Sequence, residues 1–303
     1  MNRSSIKALE AGIALSKKNK YGKFISRPFY LVASKILQGI SGLSQNGLPV
    51  TGKTFWSEPF VAVFPEKVSS FIYRYGFFEE NMTRFFMDHL KPGMTFLDIG
   101  AHFGYFSLLG ATLVGNEGKI FAFEPTPGTF KILMKNVVDK ANLTALNRAV
   151  YSKASEIEIQ DFGLTFSAFN SIYSGKMSAA EKNQVAGQSV QVTAITIDDF
   201  IAENKITPDV IKIDAEGAEL EILKGMTGLL ETGKTIITLE VGDIPDVEGM
   251  PTSKAVIEFL LAKGYRCFDY QQGEFQEQPI RDRYEYNNLI FFPVSLVTDH
   301  LTR

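Results

Sequence analysis

Phe96–Gly110 reads FLDIGAHFGYFSLLG. Apolar residues run into an acid, two glycines follow, and then come small and apolar residues. The pattern predicts a buried strand over Thr95–Ile99, a glycine turn, and a helix over Tyr105–Val114. In an open α/β sheet such a turn lies outside the carboxyl ends of the strands, where ligands bind. Gly100 and Gly104 lack side chains, so the backbone can approach a ligand closely. The pattern is Asp-x-Gly-x-x-x-Gly, not the Gly-x-Gly-x-x-Gly of turns that cradle a diphosphate. Asp98 stands where such a turn has its first glycine. It would repel a diphosphate and suits a ligand carrying an ammonium group, which favours S-adenosylmethionine over a dinucleotide.

Strand and helix patterns alternate on the C-terminal side of this turn. Strands are expected at Lys119–Phe123, Leu143–Ala149, Val210–Ile213, Thr235–Glu240, Tyr265–Tyr270 and Asn288–Phe292. Helices are expected at Thr129–Asp139, Ala218–Leu230 and Ser253–Lys263. This alternation implies a mostly parallel sheet covered on both faces. The last two strands have no helix between them, only GEFQEQPIRDRYEYN, which suits an antiparallel C-terminal hairpin at a sheet edge. Residues 151–208 form an insertion in which EIEIQDF and VQVTAI alternate like strands around a long polar loop. On the N-terminal side, Phe60–Phe64 is a short strand. Glu79–Leu90 is a helix whose Phe85, Phe86 and Leu90 read as core.

Of 303 residues, 45% are hydrophobic and 21% charged, enough for a sizeable core. One cysteine, Cys267, excludes a disulfide framework and a cysteine-based zinc site. No run reaches the ~18 apolar residues of a membrane span, and Lys7 and Glu10 interrupt any signal-like apolar start. A cytoplasmic location is expected. The net charge of −3 hides an asymmetry, because residues 1–40 hold eight Lys/Arg against Glu10 alone. Residues 1–54 are therefore set apart as a basic helical extension, in two pieces broken near Lys18–Lys23 and Pro28, with a glycine-rich loop from Gly42. Two readings stand. The extension lies peripherally on an anionic membrane, or it packs as a solvated helical arm on the acidic body. The body, residues 55–303, lacks basic clusters, so no nucleic-acid partner is expected.

Two further carboxylate positions end strands. Glu124 closes KIFAFE about twenty residues after the turn, where a carboxylate can accept from both ribose hydroxyls. Asp214 and Glu216 follow the strand VIKI in PDVIKIDAEGAELEILKG, and alternatively cap the next helix.

DIGAHFGYFSLLG, FAFEP, VIKIDAEGAELEILKG and IITLEV, in this order and spacing, resemble the FkbM-type methyltransferases over about residues 79–243. The resemblance implies a class I, Rossmann-like fold with a seven-stranded sheet, and S-adenosylmethionine as cofactor. It also implies site residues. Asp98, Gly100, Ala101, His102 and Gly104 form the cofactor turn, with Asp98 toward the methionine amino end. Glu124 holds the ribose, Pro125 beside it belongs to the cofactor-binding set, Ala149 helps to border the adenine, and Glu79 lies near the cofactor. Asp214 and Glu216 sit near the reactive methyl. His102 stands where the family usually has asparagine; it shapes the turn or serves as a base.

The expected activity is O-methylation of a sugar or natural-product hydroxyl. Asp214, Glu216 and His102 are candidate bases. The acceptor would meet Phe166–Ser178 and Phe71–Phe86. Asp214, Glu240 and Asp243 offer a metal-assisted alternative with Mg²⁺. The rival from another class is a non-catalytic cofactor-binding or partner module on the same fold.

Overall fold

The computed structural model describes residues 1–26, 28–41, 47–172, 187–244, 247 and 249–297. The chain begins with helices α1 (Arg3–Lys17), α2 (Lys20–Ser26) and α3 (Pro28–Ser41), then the antiparallel hairpin β1 (Leu48–Lys53) and β2 (Pro59–Phe64). Helices α4 (Lys67–Tyr75) and α5 (Glu80–His89) lead into β3 (Thr95–Ile99), α6 (Tyr105–Val114), β4 (Lys119–Phe123), α7 (Pro127–Val137) and β5 (Leu143–Leu146). The strand expected over Leu143–Ala149 ends at Leu146, and β6 (Ala149–Val150) joins β7 (Ser155–Asp161) and β8 (Gln188–Ile195) of the insertion in a separate three-stranded sheet. Then come α8 (Ile197–Asn204), β9 (Val210–Ile213), α9 (Glu219–Lys224), α10 (Thr227–Glu231), β10 (Ile236–Val241) and α11 (Ser253–Ala262). The chain closes with β11 (Tyr265–Gln271), β12 (Glu274–Glu277) and β13 (Asn287–Pro293).

The main sheet runs β12-β11-β13-β10-β9-β3-β4-β5. Strands β10, β9, β3, β4 and β5 pair in parallel, and β13 enters antiparallel between β10 and β11. The sheet has eight strands rather than the seven expected. The eighth, β12, forms from the polar loop and pairs with β11 at the edge.

Alternate side chains face opposite layers. Leu97, Ile99, Ile211, Ile213, Ile237 and Leu239 share a core with Phe200 of α8, Leu223 of α9, Leu230 of α10 and Leu260 of α11. Phe96, Ile120 and Val210 face Phe86, Leu109, Leu133 and Leu9 from α5, α6, α7 and α1. The aromatic stripe of α5 is thus core, with Phe85 and Phe86 almost fully buried.

Three differences from the expected elements have local causes. The expected helix over Ala218–Leu230 is two short helices broken at Gly225, where a Cβ would stand 2.1 Å from the Tyr151 carbonyl oxygen. Pro49 and Gly52 lie in β1 rather than in a loop, as a two-stranded edge tolerates both. The leading segment has three helices, and α1 is part of the body: Leu9, Ile13 and Leu15 are buried, and Glu10 pairs with Arg84 at 2.8 Å. A division at residue 54 falls between the two strands of the β1–β2 hairpin.

Candidate active site

The chain runs from β3 outward to β5, then returns to the other side of β3 as β9 and β10. Strand order therefore reverses at β3, and a crevice opens at the carboxyl ends there. Register aligns these ends. Ile99 pairs with Phe123 on one side and Ile213 on the other, and Ile213 pairs with Leu239. The residues that follow, Gly100, Glu124, Asp214 and Glu240, all line a cavity of about 520 Å³. Ala101, His102, Pro125, Ala149 and Glu216 line it too, with Phe166–Ile172 from the insertion and Tyr286 from the C-terminal part. Residues 173–178 of the expected acceptor segment lie outside the described residues.

The turn is fixed by its own backbone. Gly100 N–H and Ala101 N–H both donate to the Phe123 carbonyl, at 3.0 and 2.9 Å. Gly100 has φ +76°, and a Cβ there would fall 1.7 Å from the Asp214 carbonyl oxygen. Its bare backbone thus lets the β3 and β9 ends approach each other. Gly104 is absent from the cavity wall; a Cβ on it would meet Leu133 of α7 at 2.5 Å. Gly100 thus lines the cavity as expected for a residue of the turn, whereas Gly104 packs against α7 behind it.

His102 takes the left-handed region at φ +51°, as do Glu79 and Glu216 at +42° and +51°. Such non-glycine conformations cost about 1–3 kcal/mol each and cluster at ligand sites. His102 N–H donates to Glu124 Oε2 at 3.0 Å, its ring stacks on Phe103 at 4.0 Å, and Nε2 meets Ser167 Oγ at 2.7 Å. Burial holds the imidazole below its ordinary pKa.

Glu124 accepts from Thr126 N–H at 3.0 Å and from the Thr126 hydroxyl, besides His102. These three donors leave about one of a carboxylate's four acceptor positions. Burial outweighs the donors and pushes the carboxyl up to about 7.

Asp98 does not line the cavity. The period of two puts it with Phe96, under α6, where Ser107 Oγ donates to Oδ2 at 2.5 Å. Expectation turned it toward the ligand's amino end; its nearest cation is instead Lys212 Nζ, 3.9 Å from Oδ1. Lys212 also pairs with Asp214 Oδ2 at 2.8 Å and lies 5.3 Å over the Phe106 ring. Burial opposes its charge, but Asp214, Asp98 and Glu79 outweigh burial and hold the ammonium above its ordinary pKa. The cue for Lys212 was present: a lysine inside an apolar central strand requires a buried anion.

Asp214, Glu216 and Glu240 can each bring one oxygen within 4.8 Å of the others. Asp243, expected in such a group, is engaged elsewhere: it accepts from Ser253 N–H and Tyr284 N–H, both at 2.7 Å. Glu219 supplies a capping oxygen for the following turn, accepting from Ala215 and Gly217 N–H. Tyr286 OH stands 2.8 Å from both Glu79 Oε1 and Glu240 Oε2. One hydroxyl donates one proton, so the second contact needs a proton from a carboxyl group. Consistently, both acids are raised: Glu79 by burial and Asp214, and Glu240 well above the ordinary value by burial, Asp214 and Glu216. Neither Glu79 nor Asp98 lines the cavity, yet each has one buried oxygen without a hydrogen-bond partner among the described residues.

The methyltransferase FkbM domain matches residues 98–267, more than half of the chain. The chain belongs to the FkbM methyltransferase family. A curated relative, the hexuronic acid methyltransferase AglP of Haloferax volcanii, is 26% identical over 202 residues, covering 65% of this chain and 77% of AglP. Among solved structures, an FkbM methyltransferase of Methylobacillus flagellatus is 15% identical with a TM-score of 0.41, covering 66% of this chain and 43% of that one. Fibrillarin of Aeropyrum pernix with bound S-adenosyl-L-methionine is 14% identical with a TM-score of 0.35, covering 67% and 66%. As an FkbM protein the chain is an S-adenosylmethionine-dependent methyltransferase. Its cavity fits that cofactor: the volume lies in the ligand range of about 300–1,000 Å³, and the wall carries the carboxylates Glu124, Asp214, Glu216 and Glu240, which suit a cationic ligand.

Proposed function

We propose that this FkbM protein methylates a hydroxyl oxygen of a sugar or glycan, with Glu240 as general base. The observation that carries the reading is the convergence of Asp214, Glu216 and Glu240 at one end of the cavity that contains the glycine turn. The name of the curated relative supports a sugar acceptor. The cofactor, when bound, supplies an electrophilic methyl group for in-line displacement. Ala101 and His102 border it at the turn, Glu124 accepts from a ribose hydroxyl, and Pro125 and Ala149 border the adenine. Glu240 takes the proton of the acceptor hydroxyl, and Tyr286 fixes the direction of that carboxyl group. Asp214, paired with Lys212, and Glu216 face the same point and repel an anionic group there, which favours a hydroxyl over a carboxylate acceptor. His102 acts as a turn-shaping residue through its N–H to Glu124.

The test is incubation with S-adenosylmethionine and a panel of neutral and acidic sugars, reading the mass gain of one methyl and its resistance to mild alkali. A methyl ether survives alkali; an ester, which alkali removes, would overturn the hydroxyl assignment. The general-base reading also predicts full turnover in excess EDTA. Loss restored by Mg²⁺ would assign the three carboxylates to an ion instead.

Glu124 gives a separate prediction for cofactor binding. Its folded-state value is about 7 against 4.5 ordinarily, so its contribution to stability is present at low pH and lost as pH rises through about 7. Ribose hydroxyls donate to the ionised form, so below about pH 7 binding must release a proton. Calorimetry in buffers of different ionisation enthalpy is expected to show this release at about pH 6, with weaker affinity than at about pH 8. Glu124→Gln should flatten both trends; a native protein with no proton release at the lower pH would remove Glu124 from the ribose.

A further inference from the structure

Between Glu10 and Glu58 the chain has no acidic residue and seven basic ones: Lys17, Lys18, Lys20, Lys23, Arg27, Lys35 and Lys53. This acid-free stretch contains α2 and α3. On α3, Ser34 and Ser41 are buried and Leu37 packs against the core, whereas Val32, Ile36 and Ile40 are 45%, 55% and 51% exposed. These three recur every four residues and so form one stripe. Gly39 lies within the stripe with open space at its Cβ position, and Lys35 is exposed beside it. On α2, Tyr21 and Ile25 are one turn apart and 83% and 80% exposed. A helix packed on a soluble body turns polar residues outward. Here two serines lie buried beside Leu37 on the inward side of α3, while Val32, Ile36 and Ile40 face outward.

We propose that α2 and α3 dock on the surface of an anionic lipid bilayer. Apolar side chains flanked by lysines match a bilayer's two layers: the stripe enters the acyl boundary and the ammonium groups meet phosphate headgroups. Charge selects this occupant over a second copy of the chain. An isologous contact would press two acid-free basic stretches together, at a repulsive cost. The segment then has two roles. Helix α1 holds it to the body through Leu9, Ile13 and Leu15, and α2 and α3 hold the body to the membrane. The proposal is independent of the acceptor chemistry, since none of Tyr21, Ile25, Val32, Ile36 and Ile40 lines the cavity.

Point variants suit the test better than truncation, because removing α1 would strip core residues. The full-length protein is sedimented with vesicles of phosphatidylcholine alone or mixed with phosphatidylglycerol. Binding to the mixed vesicles only is expected, weakened by salt. Ile36→Glu/Ile40→Glu should lower the partition coefficient at least about tenfold without changing the melting temperature or turnover. Ile36→Lys/Ile40→Lys, which keeps the charge attraction but removes the apolar stripe, should also bind more weakly than the native chain. Binding that both variants retain, or no binding of the native chain to the mixed vesicles, overturns the proposal. A concentration-dependent dimer that Ile36→Glu/Ile40→Glu dissociates, without vesicle binding, would make the stripe a self-interface.

Discussion

Glu240→Gln is expected to lower kcat about 10²- to 10⁴-fold, the range in which a positioned general base contributes, while the cofactor Kd stays within about twofold. The amide keeps the size of the side chain and can still accept from Tyr286, whose hydroxyl lies 2.8 Å from Glu240 Oε2. What it loses is the ability to take a proton. The pH profile separates this role from a structural one. Burial, Asp214 and Glu216 raise the Glu240 carboxyl well above its ordinary value. Only the ionised form accepts the proton, so native kcat/KM should rise with pH through that elevated value and then level. The variant's residual activity should lack that limb. Native-like turnover in Glu240→Gln would end the assignment, and Asp214→Asn and Glu216→Gln would become the variants to compare.

Lys212→Met should produce the largest loss of stability, about 3–5 kcal/mol, the cost of removing one partner from a buried ionic cluster. The ammonium is 4% exposed and lies between Asp98, 1% exposed, and Asp214. Methionine matches the length of the stem and can keep the contact with the Phe106 ring, so packing changes little. The two carboxylates lose their cation. Adding Asp98→Asn to Lys212→Met should restore part of the loss, because the amide needs no counter-charge and can still accept from Ser107. Chemical denaturation of the two variants checks this. A single variant as stable as the native chain, or a double variant less stable than the single, would contradict the cluster. The sign with pH follows: the raised lysine contributes stability that is present below its unfolded value and lost as pH rises through its folded one.

The sequence made the centre of the fold legible and its edges obscure. β3, β4 and β9 have the bounds expected from their apolar runs, because strands buried on both faces leave a continuous signal that stops where glycine or carboxylate begins. β12, EFQE, carries no such signal: three of its four residues are exposed, and only pairing with β11 makes it a strand. Pro49 and Gly52 read as loop residues because their effect depends on whether a neighbouring strand covers both sides.

In the site, Glu124 and Asp214 were readable from their positions just past the β4 and β9 carboxyl ends. Asp98 was misplaced because its proximity to the turn outweighed parity, although Phe96 and Asp98 share a face. Tyr286 carried no local cue. It lies 46 residues from Glu240 and reaches it only because β13 inserts beside β10, with Val241 opposite Asn287. Contacts made by register alone are invisible until the register is known.

The short turn Leu164–Phe169 and the residues after it join the cavity to the insertion. His102 bonds Ser167, Asn170 donates to Thr126 at 3.3 Å, and Ser171 donates to the Glu216 carbonyl at 2.6 Å. All three anchors on the other side belong to strand-end loops that border the cavity. At about 0.5–1.5 kcal/mol net for each bond, the three together contribute about 1.5–4.5 kcal/mol, to which Leu164 and Ile172 add by packing against the two cores. The turn is then detached for at most about a tenth of the time. Any ligand exchange that requires this wall to swing away inherits that fraction as a slowing factor, so weakening Ser167 or Asn170 would quicken turnover where departure of the spent cofactor sets the pace.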